Sequence, residues 1–234
     1  MNPAGELKAL VGQVKMYLEA NAEMGLDPPF LSSPLQEPPK SEPAGINTLE
    51  SLREWIGDCR RCKLWEGRSR LVFGEGSPRA KLVFVGEGPG KDEDLQGRPF
   101  VGEAGKLLTK IIENGMGLRR EDVYICNVVK CRPPKNRVPD KDEAASCFPF
   151  VKQQIEIIGP DVICALGLTA AQSLLGRPFV LSRERGTWVS FQGIPMMPTY
   201  HPAYLLRNPS AKKQVWEDVK EIMRLMNLEV QRNV

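Results

Sequence analysis

The residues of this chain best suited to chemistry are four cysteines, a glycine-rich loop and one histidine. Cys59 and Cys62 form a C-x2-C pair, Cys131 closes the run Asn127-Val128-Val129-Lys130-Cys131, and Cys147 follows 16 positions later. Four thiolates gathered from separate stretches make a buried metal site that pins distant parts of a fold. Four-cysteine zinc sites usually pair two C-x2-C knuckles at short separation. Here 68 residues separate the two halves and 15 split the second pair. That layout favours an iron–sulfur cluster over zinc and leaves both open. Cys126 and Cys164 lie inside apolar runs and read as core thiols.

The loop Gly86-Glu87-Gly88-Pro89-Gly90 ends an apolar run. It matches neither G-x-G-x-x-G nor G-x-x-x-x-G-K-[ST]. Pro89 lacks a backbone donor, and Glu87, Asp92, Glu93 and Asp94 would repel a pyrophosphate. A loop rich in carboxylates suits work on a neutral heterocycle or a water; the plainer reading is a tight turn with solvated acids. Phe100, between Pro99 and Gly102, either offers its face to a flat ligand or caps the core, and local sequence favours the core. Asn127 ends an apolar strand, where its amide needs partners and can match the donor and acceptor edge of a base. His201, in Thr199-Tyr-His-Pro-Ala-Tyr-Leu-Leu-Arg207, is the only imidazole in the chain. The apolar and cationic residues after it can wedge into a duplex and support an extruded base.

The elements that must position these residues alternate. Short apolar runs at 81–86, 123–129, 162–166 and 194–199 read as buried strands. Helical patterns fall at 103–114, 140–158 (Asp140 as N-cap, Gly159-Pro160 as stop), 169–175 and 210–226. Alternating β and α elements with continuous apolar strands predict a parallel sheet covered on both faces. Its ligand would sit outside the carboxyl ends of the strands, where the glycine loop, Asn127 and His201 all fall. Residues 1–25 have a helical pattern, and 26–46 are Pro-rich and read as a linker. The main domain is expected over 47–230. The N-terminal extension either recruits a protein partner or is disordered.

The 234 residues, 41% hydrophobic and 26% charged with net charge +3, describe a soluble globular chain without a polyanion-binding tail. Two basic stretches flank cysteines: Arg60, Arg61, Lys63, Arg68 and Arg70, then Lys130, Arg132, Lys135 and Arg137. Side by side they favour a phosphate backbone as partner. No segment reads as a signal peptide or membrane span. A monomer in the cytoplasm, with no membrane partner, is the expectation.

Taken together, GEGPGKDED, GRPFVGEAGKLL, CNVVKCRPPKNR and TYHPAYLLR, with the four cysteines in this order, resemble the family 4 (iron–sulfur) uracil-DNA glycosylases over about residues 49–228. The resemblance implies a three-layer α/β/α sandwich around a four-stranded parallel sheet. It implies hydrolysis of the N-glycosidic bond of deoxyuridine in single- or double-stranded DNA, by base flipping and stabilisation of the uracil anion, leaving an abasic site. It implies a [4Fe-4S] cluster on Cys59, Cys62, Cys131 and Cys147. The uracil pocket would comprise Glu87, Gly88, Pro89, Phe100 and Asn127, with His201 donating toward uracil O2. Glu87, Glu93 and Asn136 match positions linked to catalysis. Leu205, Leu206 and Arg207 would fill or flank the gap in the DNA, with Arg132 and Arg137 on its backbone. Two other readings keep the fold: a glycosylase of broader scope for deaminated bases, and a non-catalytic damaged-DNA-binding protein.

Overall fold

The computed structural model describes residues 45–229. The predicted N-terminal helix and nearly all of the Pro-rich linker lie outside them. The apolar runs form strands β2 (Leu82–Gly86), β3 (Tyr124–Asn127), β4 (Val162–Leu166) and β6 (Ile194–Thr199), and they pair in parallel in the order β3-β2-β4-β6. Two short antiparallel strands that the sequence reading lacked extend this set to six: β1 (Glu75–Gly76) beside β3 and β5 (Val189–Phe191) beside β6. Both are too short to show a two-residue period.

Side chains alternate across the sheet, as strand geometry requires. Val83, Val85, Ile163 and Ala165 face one core layer with α1 (Leu49–Ile56), α4 (Lys141–Ile158) and α5 (Leu168–Leu175). Leu82, Phe84, Cys164 and Leu166 face the other, filled from α3 (Glu103–Lys110) and α8 (Lys212–Leu225). The result is the three-layer α/β/α arrangement. Asp140 caps α4, and its backbone amide donates to Glu143 Oε2 at 2.7 Å. Cys126 and Cys164 are buried core thiols as expected.

Strand order sets the position of the site. The chain leaves β2 for β3 on one side and returns to β4 on the other. The crevice outside the carboxyl ends of β2 and β4 is where ligands bind in open α/β sheets.

Candidate active site

A cavity of about 640 Å3 opens at that crevice. Its walls come from the loop after β2 (Glu87 to Gly90), Asn127 at the end of β3, Leu166 to Leu168 after β4, and His201 after β6. Phe100, Asn136, Arg137 and Arg207 also line it. Four loops far apart in sequence thus place Glu87, Gly88, Pro89, Phe100, Asn127 and His201 around one space.

Asn127 is 1% exposed. Its Oδ1 is the one buried side-chain polar atom without a hydrogen-bond partner among the described residues. Such an acceptor costs roughly 1–3 kcal/mol unless a ligand satisfies it. Gly86 permits this placement, since a Cβ there would stand 2.4 Å from Asn127 Oδ1 and 2.6 Å from the Phe100 ring.

Phe100 is 5% exposed and has φ of 52°, rare for an aromatic residue. Several contacts hold it. Val101 and Gly102 donate their amides to Glu93 Oε1, both at 2.9 Å, and Gly90 donates to Glu93 Oε2 at 3.1 Å. Arg120 donates to the Pro99 carbonyl at 2.7 Å. Glu93 therefore stitches the glycine loop to the Phe100 loop through three backbone amides. This corrects the picture of solvated acids: Glu93 and Asp94 are buried on the short helix α2 (Lys91–Gln96), and Asp94 accepts from the Ser69 amide at 2.8 Å. Phe100 serves both sequence readings, packing in the core and facing the cavity 5.5 Å from the His201 ring centroid.

Gly105 carries the backbone of that loop. A Cβ there would stand 2.0 Å from the Phe100 carbonyl atoms. Overpacking of this kind costs roughly 1–3 kcal/mol, about 2–12 °C of Tm for a domain of this size. Gly105→Ala is expected to lower Tm by that range and to displace Phe100, which thermal melts and substrate KM would read together.

His201 caps helix α7 (Pro202–Arg207), and its Nδ1 accepts from the Ala203 amide at 3.1 Å. That bond leaves the proton on Nε2. Burial, with Arg207 nearby, pushes its pKa down to about 4. The ring is therefore a neutral donor at physiological pH.

Glu87 accepts a hydrogen bond from the Thr169 hydroxyl in the first turn of α5. Sequence reasoning missed Thr169. The only available signal was its place just after a strand ending at Leu166, two residues beyond Gly167. Asn136 has φ of 55° and accepts from Arg132 Nε at 2.7 Å.

The rim and the basic stretches differ from the sequence expectation in four ways. Leu205 is 1% exposed and belongs to the core, whereas Leu206 is 46% and Tyr204 37% exposed. The phase of α7 turns Leu205 inward, so the outward apolar group is Leu206 with Tyr204. Arg137 forks onto the buried Glu143 at 2.7 and 2.8 Å, and its charge is already met. Lys130 is 1% exposed and contributes nothing to a surface patch. Arg60, Arg61 and Arg68 likewise have internal partners: Arg60 with Asp58, Arg61 over Trp55, and Arg68 with Asp58 and Cys131. Arg207 remains exposed at the mouth of the cavity.

The four cysteines line a second, small cavity with Lys130 and Phe150. Arg68 donates to Cys131 Sγ at 3.1 Å, Arg61 to Cys59 Sγ at 3.4 Å, and the Lys130 amide to Cys147 Sγ at 3.3 Å. Burial pushes the Cys147 thiol up to about 12 and raises Cys62 and Cys131. Among the described residues, no three His, Cys, Asp or Glu side chains are grouped so as to hold a metal ion.

The family description "Uracil DNA glycosylase superfamily" matches residues 73–220. A type-4 uracil-DNA glycosylase of Thermotoga maritima is 49% identical over 177 residues, covering 74% of this chain and 92% of that protein. One from Sulfurisphaera tokodaii is 46% identical over 188 residues, covering 77% and 86%. A type-5 uracil-DNA glycosylase of Pyrobaculum aerophilum is more distant, 28% identical over 192 residues, covering 75% and 84%. With the β2–β4 crevice, a neutral His201 and an unpartnered Asn127 oxygen on the same walls, the chain belongs to the uracil DNA glycosylase superfamily and, within it, to the type-4 uracil-DNA glycosylases.

Proposed function

We propose that this protein hydrolyses the N-glycosidic bond of deoxyuridine in DNA, releases uracil and leaves an abasic site. The observation that carries the reading is the orphaned Asn127 Oδ1 inside a cavity that also presents an aromatic ring and a neutral imidazole donor. An extruded uracil meets all three. Its ring stacks on Phe100. Its N3–H donates to Asn127 Oδ1, and its O4 accepts from the Asn127 amide NH2. Cytosine presents an unprotonated N3 and an amine at the same two places, so the pair is mismatched.

Cleavage of C1′–N1 sends the bonding electrons into the uracil ring and leaves positive charge on the sugar. The His201 Nε2–H donates toward uracil O2, where negative charge grows. Donors fixed before the reaction stabilise such an anion by roughly 2.7–4 kcal/mol. Water adds to C1′, and the proton it gives up passes through solvent to the departing uracil anion, so the products are neutral uracil and an abasic sugar. We assign the orientation of that water to Glu87, held by Thr169. Thr169→Val keeps the shape and removes the hydroxyl; it is expected to slow single-turnover cleavage roughly ten-fold, with Thr169→Ser restoring most of the rate. Glu93 and Asn136 act as positioning residues, through the backbone amides of the Phe100 loop and through Arg132. Leu206 and Tyr204 fill the space left by the flipped nucleotide, and Arg207 and Arg132 meet the phosphates. We read the DNA-bound protein as a monomer.

The four cysteines share one small cavity but are not drawn together around a common centre, so an iron–sulfur cluster there would require their thiols to close on it. In favour of that reading, the four thiols from three stretches line one cavity and N–H groups point at three of the sulfurs, the kind of contact that tunes cluster sulfurs. A bound cationic centre lowers thiol pKa values and offsets the effect of burial. We propose Cys59, Cys62, Cys131 and Cys147 as ligands of a [4Fe-4S] cluster whose contribution is to cross-link the segment before β1 to the end of β3 and to α4. Iron and sulfide content with visible absorbance of the purified protein tests this: four iron atoms per chain are expected, and zinc in a colourless protein would overturn it. The uracil reading itself is tested by base release from a uracil-containing oligonucleotide.

A further inference from the structure

The five residues Asn127 to Cys131 join the two cavities. Asn127 ends β3 and lines the larger one, and Cys131 lines the smaller. Between them, Val128 and Val129 donate their amides to the Gly86 and Glu87 carbonyls at 2.9 and 3.1 Å, which clips this stretch to the glycine-rich loop. Lys130 is the remaining residue, and it bonds to both sites through different atoms. Its amide donates to Cys147 Sγ at 3.3 Å, while its Nζ donates to the Asn127 carbonyl at 2.8 Å and to Gln154 Oε1 at 2.6 Å. Its own carbonyl accepts from the Val72 amide at 2.8 Å.

A fully buried lysine is rare unless something specific needs it. Lys130 is 1% exposed and forms no ion pair with a carboxylate among the described residues. Its long side chain folds back three residues to hold the carbonyl of Asn127, the last residue of β3. That carbonyl lies at a strand end, where a ladder partner is lost. Gln154 is fixed in turn: its Nε2 donates to the Phe73 carbonyl and to the Tyr124 hydroxyl, both at 2.9 Å. Tyr124 begins β3. The circuit Tyr124–Gln154–Lys130–Asn127 therefore clamps both ends of β3 from the layer that carries the cysteines.

We propose that Lys130 is the positioning residue that couples the cysteine cage to the base-reading amide of Asn127, so that order in the cage sets the register of uracil recognition. The proposal rests on the uracil reading above and reaches beyond it. Its side chain serves Asn127 and its backbone serves Cys147, so the two functions separate by mutation. Lys130→Met keeps length and the backbone amide while removing Nζ.

The test uses the full chain and two measurements on each variant: iron per chain, and the dissociation constant for free uracil by titration calorimetry. Lys130→Met is expected to keep its iron and to bind free uracil at least ten-fold more weakly. In an Asn127→Ala background, Lys130→Met is expected to add less than two-fold, because its effect passes through Asn127. Should Lys130→Met fail to fold, Gln154→Met, which removes one Nζ acceptor, takes its place with the same expected signature. Unchanged uracil affinity, loss of iron in parallel with affinity, or full additivity with Asn127→Ala would each overturn the proposal. Failure of the uracil reading would look different: wild-type protein would neither bind free uracil nor release it from DNA.

Discussion

Replacing His201 by alanine is expected to slow uracil release by about 10²–10³-fold, the cost of removing one preorganised donor at a developing oxyanion. The loss should appear in the single-turnover rate more than in DNA affinity, since the donor acts most strongly once charge has moved onto O2. Quenched-flow release of uracil under single-turnover conditions checks it, and a rate within two-fold of wild type would remove His201 from the mechanism. The neutral state has a second consequence. The unfolded chain takes up a proton at His201 near the ordinary 6.5, and the folded chain does so only at about 4. The folded state thus binds fewer protons in this window. The stability tied to His201 is fully present above about 6.5 and is lost as pH falls toward 4. Cleavage should show no inflection from His201 between pH 5 and pH 8.

The second large effect belongs to Asn127. Asn127→Asp puts a carboxylate, which only accepts, where uracil presents both a donor and an acceptor. Uracil O4 then faces a buried charge instead of an amide NH2. Loss of a buried polar match costs roughly 1–3 kcal/mol for neutral groups and more when charge is involved, so kcat/KM for uracil should fall by about a hundred-fold or more. Discrimination against cytosine should fall as well, because the cytosine amine now finds an acceptor. Competition between U- and C-containing oligonucleotides reads both quantities. Retained rate and retained discrimination would assign base reading elsewhere on the cavity wall.

Much of this was legible in the sequence, for identifiable reasons. The runs Leu82–Gly86 and Val162–Leu166 are continuous, apolar and bounded by turn residues, and they became fully buried parallel strands. Asn127 and His201 stood out as polar residues at strand ends, and the sheet brings both to one crevice. What was not legible depends on partners distant in the chain. Glu93 reads as a solvated acid until the Phe100 loop supplies two amides for it to accept from. Lys130 reads as part of a basic surface patch until Gln154, 24 residues away, accepts a hydrogen bond from its Nζ. Thr169 carries no local signature, and its role rests on a bond to a loop 82 residues earlier. Leu205 and Leu206 are adjacent and equally apolar, and only the phase of α7 sends one into the core and the other to the rim. The edge strands are two and three residues long, below the length at which alternation can be seen.

The burial of Glu93 also separates two carboxylates that look alike in sequence. Both oxygens of Glu93 are taken by backbone amides, which leaves it a scaffold for Phe100. Both residues line the cavity, but Glu87 has one oxygen engaged by Thr169 rather than two held by backbone amides. That difference is the ground on which the proposed mechanism gives the water to Glu87 rather than to Glu93.

The central claim, that this crevice cleaves deoxyuridine, is tested most directly by incubating the wild-type protein with a uracil-containing oligonucleotide beside its thymine-containing twin and quantifying free base. Release of uracil from the first, none from the second, and near-complete loss of release in His201→Ala is the predicted result. Intact DNA after incubation with wild-type protein whose iron content is full would contradict the account and leave the crevice as a binding site without this reaction.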